Sequence, residues 1–487
     1  MRDGFELPAL RDYIAGEWAD PTVDLGLFVE DPHTGEAVQR QLGSNDAAIE
    51  SAIAAADHEY HHGAWRAADA DDRAETLDAM AAALDPMQES AATLEAATSG
   101  AVIGVTSMLA FIIPGAFRLA AEMIRSGMLY STLPGPSGDV EIRKTGWGPA
   151  LSLVPWNAPA PMAAHKAASA LAAGCPVIIK PPERAPHGSA VMAEAAAQVG
   201  LPPGLLQLVH GGPRQGGALV TDDRIRAVSF TGGIVGGRDI ATACAVGLKP
   251  VQLELGGHSP VVIMPDCDAE VAASAVTALM TTLNGQWCRA LGRLIVPIER
   301  EAEILEAIGA SMEQVVIGDP LSAESMMGPI VHSDHLAMLQ STIAGMRSAG
   351  GQVHAWSQIP ETGNYLAPTL VSGLDPSLTR DEIFGPVGSV HSYRDVDEAV
   401  AIANGTDYGL EAYVFGSDEA AALAAARRIR AGGVKVNGAS PISLHLMAPR
   451  PAWGVSGLQI EGTTETIDFF CGTSVVGVEG MEQGEQG

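Results

Sequence analysis

From residue 150 onward the chain alternates short, continuously apolar runs with alanine-rich stretches that end in glycine. Residues 151–154 read as a buried strand, 159–173 as a helix closed by Gly174, 176–180 as a strand and 188–199 as a helix closed by Gly200. Strands at 205–209, 227–230 and 251–255 continue the pattern, with a helix at 237–245 between the last two. Strands that are apolar on both faces and joined by capped helices fit a parallel sheet covered on both sides, since each crossover helix must lie on a face. The pattern therefore predicts a doubly wound α/β unit. A second alternation follows residue 260, with helices at 269–280 and 301–312 around a strand at 294–296. Strands at 387–393, 412–415 and 434–436, with helices at 396–403 and 418–431, complete a second α/β unit of comparable size. Residues 125–146 are different, rich in Gly, Pro, Ser and Thr with a β-like 140–143, and read as a hairpin leaving the first unit.

Composition narrows the function classes. At 487 residues, 47% hydrophobic and 18% charged, the chain has the length for two to four structural units and lies far from a disordered composition. Its net charge of −30, from 28 basic and 58 acidic residues, repels nucleic-acid phosphates and anionic lipid, so no nucleic-acid or membrane partner is expected. Five scattered cysteines without CxxC spacing speak against a disulfide framework or a zinc ribbon and fit a reducing cytoplasm. The N-terminus lacks the apolar core of a signal peptide. The most apolar run, 101–113, is taken to end at Pro114, short of the roughly 20 residues a membrane span needs.

Several residues could carry chemistry. Cys288 follows a polar, glycine-containing turn, Asn284-Gly-Gln-Trp-Cys288, where an accessible thiol could act as a nucleophile; an inert buried cysteine is the alternative. Glu254 ends an apolar strand before Gly256-Gly257, a place for a buried general base or for a carboxylate facing water. Asn157, between a strand and a helix, could donate to an oxyanion or cap the helix. The segment Phe230-Thr-Gly232-Gly233 to Gly237 is a strand-to-helix loop suited to a pyrophosphate, though it is no GxGxxG fingerprint. Lys180 and Glu183 follow a strand as either ligand contacts or a solvated ion pair. His58-Glu59-Tyr60-His61-His62 spells HExxH, but no third ligand follows, so it reads as a solvated helix end and no metal is expected.

In this order, these segments resemble the NAD(P)-dependent aldehyde dehydrogenase superfamily. The resemblance also rests on Pro155-Trp156-Asn157, Lys180-Pro-Pro-Glu183, Leu253-Glu254-Leu255-Gly-Gly257, Gly285-Gln-Trp-Cys288, Glu382-Ile-Phe384-Gly-Pro, Tyr408-Gly-Leu410, Gly433-Val-Lys-Val-Asn437 and Ser456-Gly457. It implies a Rossmann-like cofactor domain (1–125 and 147–256) and a second α/β catalytic domain (257–438, followed by an anchor loop at 439–462). A small β oligomerisation element (126–146 and 463–487) would make a homodimer or homotetramer.

The resemblance also implies roles. Cys288 would attack an aldehyde, Asn157 and the Cys288 backbone N–H would hold the oxyanion, and Glu254 would activate the water that hydrolyses the thioester. Pro155, Trp156, Lys180, Glu183, Gly212, Phe230, Gly232, Gly233, Gly237, Leu255, Glu382 and Phe384 would hold the cofactor. Glu183 would repel a 2′-phosphate, favouring NAD over NADP. Ala158, Met162, His165, Trp287, Arg289 and Arg450 would line the substrate pocket. Gly233 stands where a serine is usual, Val235 where a glutamate often sits, and Arg450 where many relatives carry phenylalanine. The two arginines and the histidine point to a polar or anionic aldehyde, and Arg289 is expected to depress the pKa of Cys288. The competing readings are a CoA-acylating relative and a catalytically silent NAD-binding scaffold.

Overall fold

The computed structural model describes residues 6–135 and 137–479, so the Gly/Glu/Gln tail from Gly480 and the extreme N-terminus lie outside the described residues. Five parallel strands form the centre of the first sheet, in the spatial order Leu206–Leu208, Val177–Lys180, Ala150–Leu153, Ala227–Thr231, Val251–Glu254. The chain enters at Ala150–Leu153, winds outward through two strands, then crosses back to lay down the other two. This reversal creates a crevice at the carboxyl ends of Ala150–Leu153 and Ala227–Thr231, where open α/β sheets bind ligands. On one side Asp12–Ile14 adds antiparallel and Glu17–Ala19 forms the edge beyond it, and Gly457–Leu458 closes the other side, placing Gly457 opposite Glu254. That last pairing puts part of the expected anchor segment in the first sheet rather than with the second.

The helix Pro159–Ala173 shows why the chain folds this way locally. Proline is tolerated in its first turn, where the N–H groups lack helical partners anyway, and Gly174 at φ +93° ends it in a left-handed turn. Its alanines allow close packing on every side, and only Met162 and His165 escape full burial. Those two positions, one turn apart, share one face. Helices Ala70–Leu84 and Ile112–Arg125 pack around the same core, in which Leu77, Phe117, Ile124 and Leu171 are buried. Each such side chain contributes about 1.5–3 kcal/mol by leaving water.

The second sheet follows after only residues 255–258. Its order is Gln352–Ala355, Thr369–Ser372, Val387–Tyr393, Leu291–Pro297, Ser259–Ile263, Glu411–Phe415, Gly433–Val436, parallel except for the first strand. The hairpin Tyr130–Gly135 and Gly138–Gly146 pairs with Cys471–Val476 into a separate three-stranded antiparallel sheet.

Some local expectations shift. The glycine-rich loop turns into helix earlier than expected, at Ile234–Val246 with Gly233 as N-cap. The expected 188–199 helix splits into a 3-10 turn, His187–Ala190, and an α-helix, Val191–Val199. The expected 418–431 helix is shorter, Glu419–Ala426: Asp418 caps its start, and beyond Ala426 the chain tightens into turns in which the Arg428 and Ile429 N–H groups bond the carbonyls of Ala425 and Ala426. Pro114 sits in the first turn of Ile112–Arg125 and does not end the apolar run. The helical stretch Ile103–Arg125 thus reaches 23 residues, long and apolar enough to cross a membrane by length and composition, with Ile113, Phe117 and Ile124 packed in the core of the first unit. In the HExxH segment Glu59 is buried while the three histidines are exposed, so its carboxyl and the imidazoles do not share a face. Among the described residues no group of three or more candidate ligands could hold a metal.

Candidate active site

Cys288 is presented by a loop held in an unfavourable backbone state. Leu283 (φ 48°), Asn284 (φ 58°) and Gly285 (φ 68°) are left-handed in succession between the helix Ala269–Thr281 and the strand Leu291–Pro297. Each non-glycine residue there costs about 1–2 kcal/mol, so the surroundings must hold the turn in place. Asn284, fully buried, donates to the carbonyls of Gly100 (2.7 Å) and Pro329 (2.9 Å) and accepts from the Gly328 N–H (2.8 Å). The Gln286 side chain accepts from the Val331 N–H at 3.0 Å. A side chain at Gly285 would collide with the backbone of Gly385 and Pro386. Trp287, expected in the substrate pocket, turns instead into the core of the second sheet, where its indole donates to the Leu279 carbonyl at 3.3 Å. A large apolar ring beside an apolar core is drawn inward, and the loop projects Cys288 the other way.

The first sheet brings the remaining catalytic candidates to this loop. Asn157 donates from Nδ2 to the Gln286 carbonyl at 2.9 Å. The helix N-cap is Ala158, with no side-chain cap bond, so Asn157 is free of the capping role. Glu254 ends its strand buried, and its Oε1 has no hydrogen-bond partner among the described residues. Burial first, and Glu461 second, push its carboxyl up to about 8 against the pull of Lys166, Arg289 and Arg450. Burial likewise pushes the Cys288 thiol up to about 12; Arg289 pulls it down but is outweighed by burial together with Glu254, Glu382 and Glu461. The expected depression of this pKa is therefore corrected: the neighbouring cation is present, but the site is too dry and too acidic for it to prevail.

The cofactor candidates converge on the crevice. Gly233 caps Ile234–Val246 without a side-chain bond, leaving the helix N–H groups open to an anion. A side chain at Gly232 would overlap the Phe230 ring, and one at Gly237 would overlap Leu255, so these four residues form one close-packed cradle. Val235, beside it, is exposed. The Trp156 ring meets Phe384 edge-on at 5.2 Å and His335 at 5.6 Å, and His335 bonds the Phe384 carbonyl at 2.6 Å. Pro155 leads into this loop, partly exposed. Glu382 accepts from the Gly257 N–H at 2.8 Å, and burial pushes its carboxyl up to about 7. Lys180 is buried and donates to Glu183 at 2.9 Å and to the Pro181 carbonyl at 2.9 Å, so the pair is not the solvated one. Gly212 caps the next helix, Pro213–Thr221, and gives its N–H to Gln215 at 3.1 Å. The same helix lays Gly216 against the Lys180 stem. Open helix N–H groups, close-packed glycines and two carboxylates suit a dinucleotide.

On the substrate side His165 Nε2 lies 3.1 Å from Glu461, 3.2 Å from the Thr466 hydroxyl and 3.3 Å from the Arg450 guanidinium. Burial keeps His165 below its usual range despite Glu461, whereas Glu461 itself, which burial would raise, is held well below the carboxylate range by Arg450 and His165. Arg289 Nε stands 3.4 Å from Glu411, which Lys435 approaches at 3.9 Å. Lys166, fully buried, donates to Ser229 at 2.6 Å and faces both Glu254 and Glu461. Sequence reasoning passed over Glu461, Lys166, Glu411 and Lys435. A lysine within an alanine-rich apolar helix was the available signal for Lys166.

The profile of the aldehyde dehydrogenase family matches residues 18–476. The chain is 32% identical over 464 residues to geranial dehydrogenase of Castellaniella defragrans, covering 94% of this chain and 96% of that one. It is 33% identical over 475 residues to a non-phosphorylating aspartate-semialdehyde dehydrogenase of Halomonas elongata, covering 95% and 94%. Among solved structures, a mutant of aldehyde dehydrogenase C from Pseudomonas syringae, complexed with NAD+ and octanal, superposes with a TM-score of 0.90 at 30% identity over 97% of this chain and 98% of that one. A family profile spanning residues 18–476 and relatives at 32–33% identity over nearly the whole chain make this protein a member of the aldehyde dehydrogenase family and an oxidoreductase acting on aldehydes.

Proposed function

We propose that the protein oxidises an aldehyde to a carboxylic acid through a covalent intermediate on Cys288 that water then hydrolyses. The observation that carries this reading is the meeting of two elements far apart in sequence: the Asn157 amide on the Cys288 loop, beside a buried Glu254 with an unpartnered oxygen. The Cys288 thiol gives its proton to solvent water and Sγ adds to the carbonyl carbon, and the oxyanion that forms is met by the Asn157 amide and the Cys288 backbone N–H. A bound NAD supplies the hydride acceptor. The resulting thioester is attacked by a water from which Glu254 removes a proton. With its carboxyl near 8, Glu254 gains base form as pH rises through that value, so hydrolysis accelerates over the same window. A buried base has no task if a thiol such as CoA takes the acyl group, which favours water as acceptor.

Lys180 and Glu183 would hold the adenine ribose, the Gly232–Gly233 cradle the pyrophosphate, and Glu382 with Phe384 the nicotinamide ribose. Glu183 favours NAD over NADP, because a 2′-phosphate there would face a carboxylate. Division into a cofactor domain and a catalytic domain is supported by the separate sheets, and a homo-oligomer by the three-stranded sheet. That sheet exposes Tyr130, Leu133, Val475 and Val476 along its strands. The five unpaired cysteines accord with a cytoplasmic protein.

The test is NADH formation at 340 nm with an aldehyde panel, with NAD or NADP, with and without CoA. The expected result is NAD-dependent turnover without CoA that falls by about 10⁴-fold or more in Cys288→Ala. Turnover that requires CoA, or that survives in Cys288→Ala, would overturn the reading.

A further inference from the structure

Some arginines are tied to protein acceptors: Arg293 gives both terminal nitrogens to the carbonyls of Ile402 and Ala403 at 2.7 Å each, and Arg224 holds Glu50 through two bonds of 2.8 and 2.7 Å. Arg289 and Arg450 are less engaged. Among the described residues the Arg289 guanidinium donates no hydrogen bond, standing 3.4 Å from Glu411 without the alignment of one. Arg450 reaches only His165, at 3.3 Å, and stands 3.5 Å from Glu461. A guanidinium carries five N–H donors in a rigid fork. Both side chains are still reached by solvent, 17% and 21% exposed, so their remaining donors are open to a ligand.

Both arginines line one cleft of about 200 Å³ between the loop carrying Arg450 and the strands Glu411–Phe415 and Gly433–Val436. Lys435 lines it too, but its ammonium is committed to the carbonyls of Ser440 (2.6 Å) and Ile442 (2.9 Å), fixing that loop. The cleft wall thus bears three cations and one anion, Glu411, with Glu461 standing 3.5 Å from Arg450, so basic groups outnumber acidic ones here on a chain whose overall charge is −30. Because Arg289 directly follows Cys288, a group held there is tethered beside the reacting carbon.

We propose that this cleft is a subsite for a carboxylate at the far end of the aldehyde substrate, gripped by the unused donors of Arg289 and Arg450. The proposal rests on the aldehyde-oxidising reading above and names its substrate class, an ω-oxo carboxylate. Leu410 and Pro451 in the same wall give the connecting carbons an apolar path.

The experiment compares kcat/KM for a short ω-oxo carboxylate and for its methyl ester, which keeps the length and removes the charge. In the wild-type protein the carboxylate is favoured by about 10- to 100-fold, the range for a charge-assisted hydrogen bond to a buried site. Arg289→Met and Arg450→Met each remove most of that preference through KM for the carboxylate, and Arg450→Lys restores part of it. General damage to the site lowers both substrates alike and cancels in the ratio. A wild-type protein that oxidises the ester as well as the carboxylate overturns the subsite, and that result does not depend on any variant folding. Variants that lower both substrates equally overturn it too. Oxidation of neither compound while other neutral aldehydes react also removes the subsite but spares the reading it rests on; no reaction with any aldehyde removes both.

Discussion

The two walls of the catalytic crevice are made by different means. The proposed cofactor wall is largely backbone: glycines at 232, 233, 237 and 257, open N–H groups at the start of Ile234–Val246, and Glu382, which bonds the Gly257 N–H. The proposed substrate wall is side chain on side chain, with His165, Glu461 and Arg450 forming one group and Arg289, Glu411 and Lys435 another. A wall of backbone suits a ligand of constant shape such as a dinucleotide. A wall of paired charges can be rewritten one residue at a time, which is how a common scaffold acquires a particular substrate.

Two substitutions sharpen this contrast. Asn157→Ala removes the amide proposed to meet the oxyanion together with its bond to the Gln286 carbonyl, so kcat is expected to fall by about 10²- to 10³-fold with a much smaller effect on unfolding temperature. A thermal melt that drops with the activity would instead make Asn157 a structural strut of the Cys288 loop through Gln286. Gly257→Ala tests the backbone wall. A side chain there would overlap the Cys288 carbonyl, which cannot swing aside as a side-chain end can. Activity is expected to fall by about 10²-fold from displacement of the loop. Stability is expected to fall by about 3 kcal/mol from overpacking, read by denaturant unfolding. Unchanged unfolding in Gly257→Ala would show that this wall is more pliable than the close contacts imply.

The same contrast decides what could be read from the chain. Strand and helix order is legible locally, through apolar runs and closing glycines, whereas Cys288, Glu254, Asn157 and the glycine-rich loop each stand locally against a bland alternative and take their roles from the ordered set of motifs. The charge partners have neither signal. Glu461 reaches His165 across 296 positions (461 − 165), and nothing in either segment names the other. Trp287 was misplaced for a related reason: adjacency to Cys288 suggested the pocket, while the indole packs in the core of the second sheet and bonds the Leu279 carbonyl, a partner no local pattern names. The pKa of Cys288 went the other way from expectation because a single neighbouring arginine is visible in sequence, whereas burial and three converging carboxylates are not. The misjudged end of the 101–113 run has a simpler cause, since proline opens a helix as readily as it breaks one.

The central claim is that Cys288 carries the acyl group and Glu254 releases it. The most direct measurement is intact-protein and peptide mass analysis of Glu254→Gln mixed with NAD and an oxidisable aldehyde, alongside NADH counted at 340 nm. The account predicts about one NADH per site followed by a stall, with the acyl mass found on the peptide containing Cys288. Sustained turnover by Glu254→Gln at the wild-type rate, or an adduct on any other residue, would contradict it.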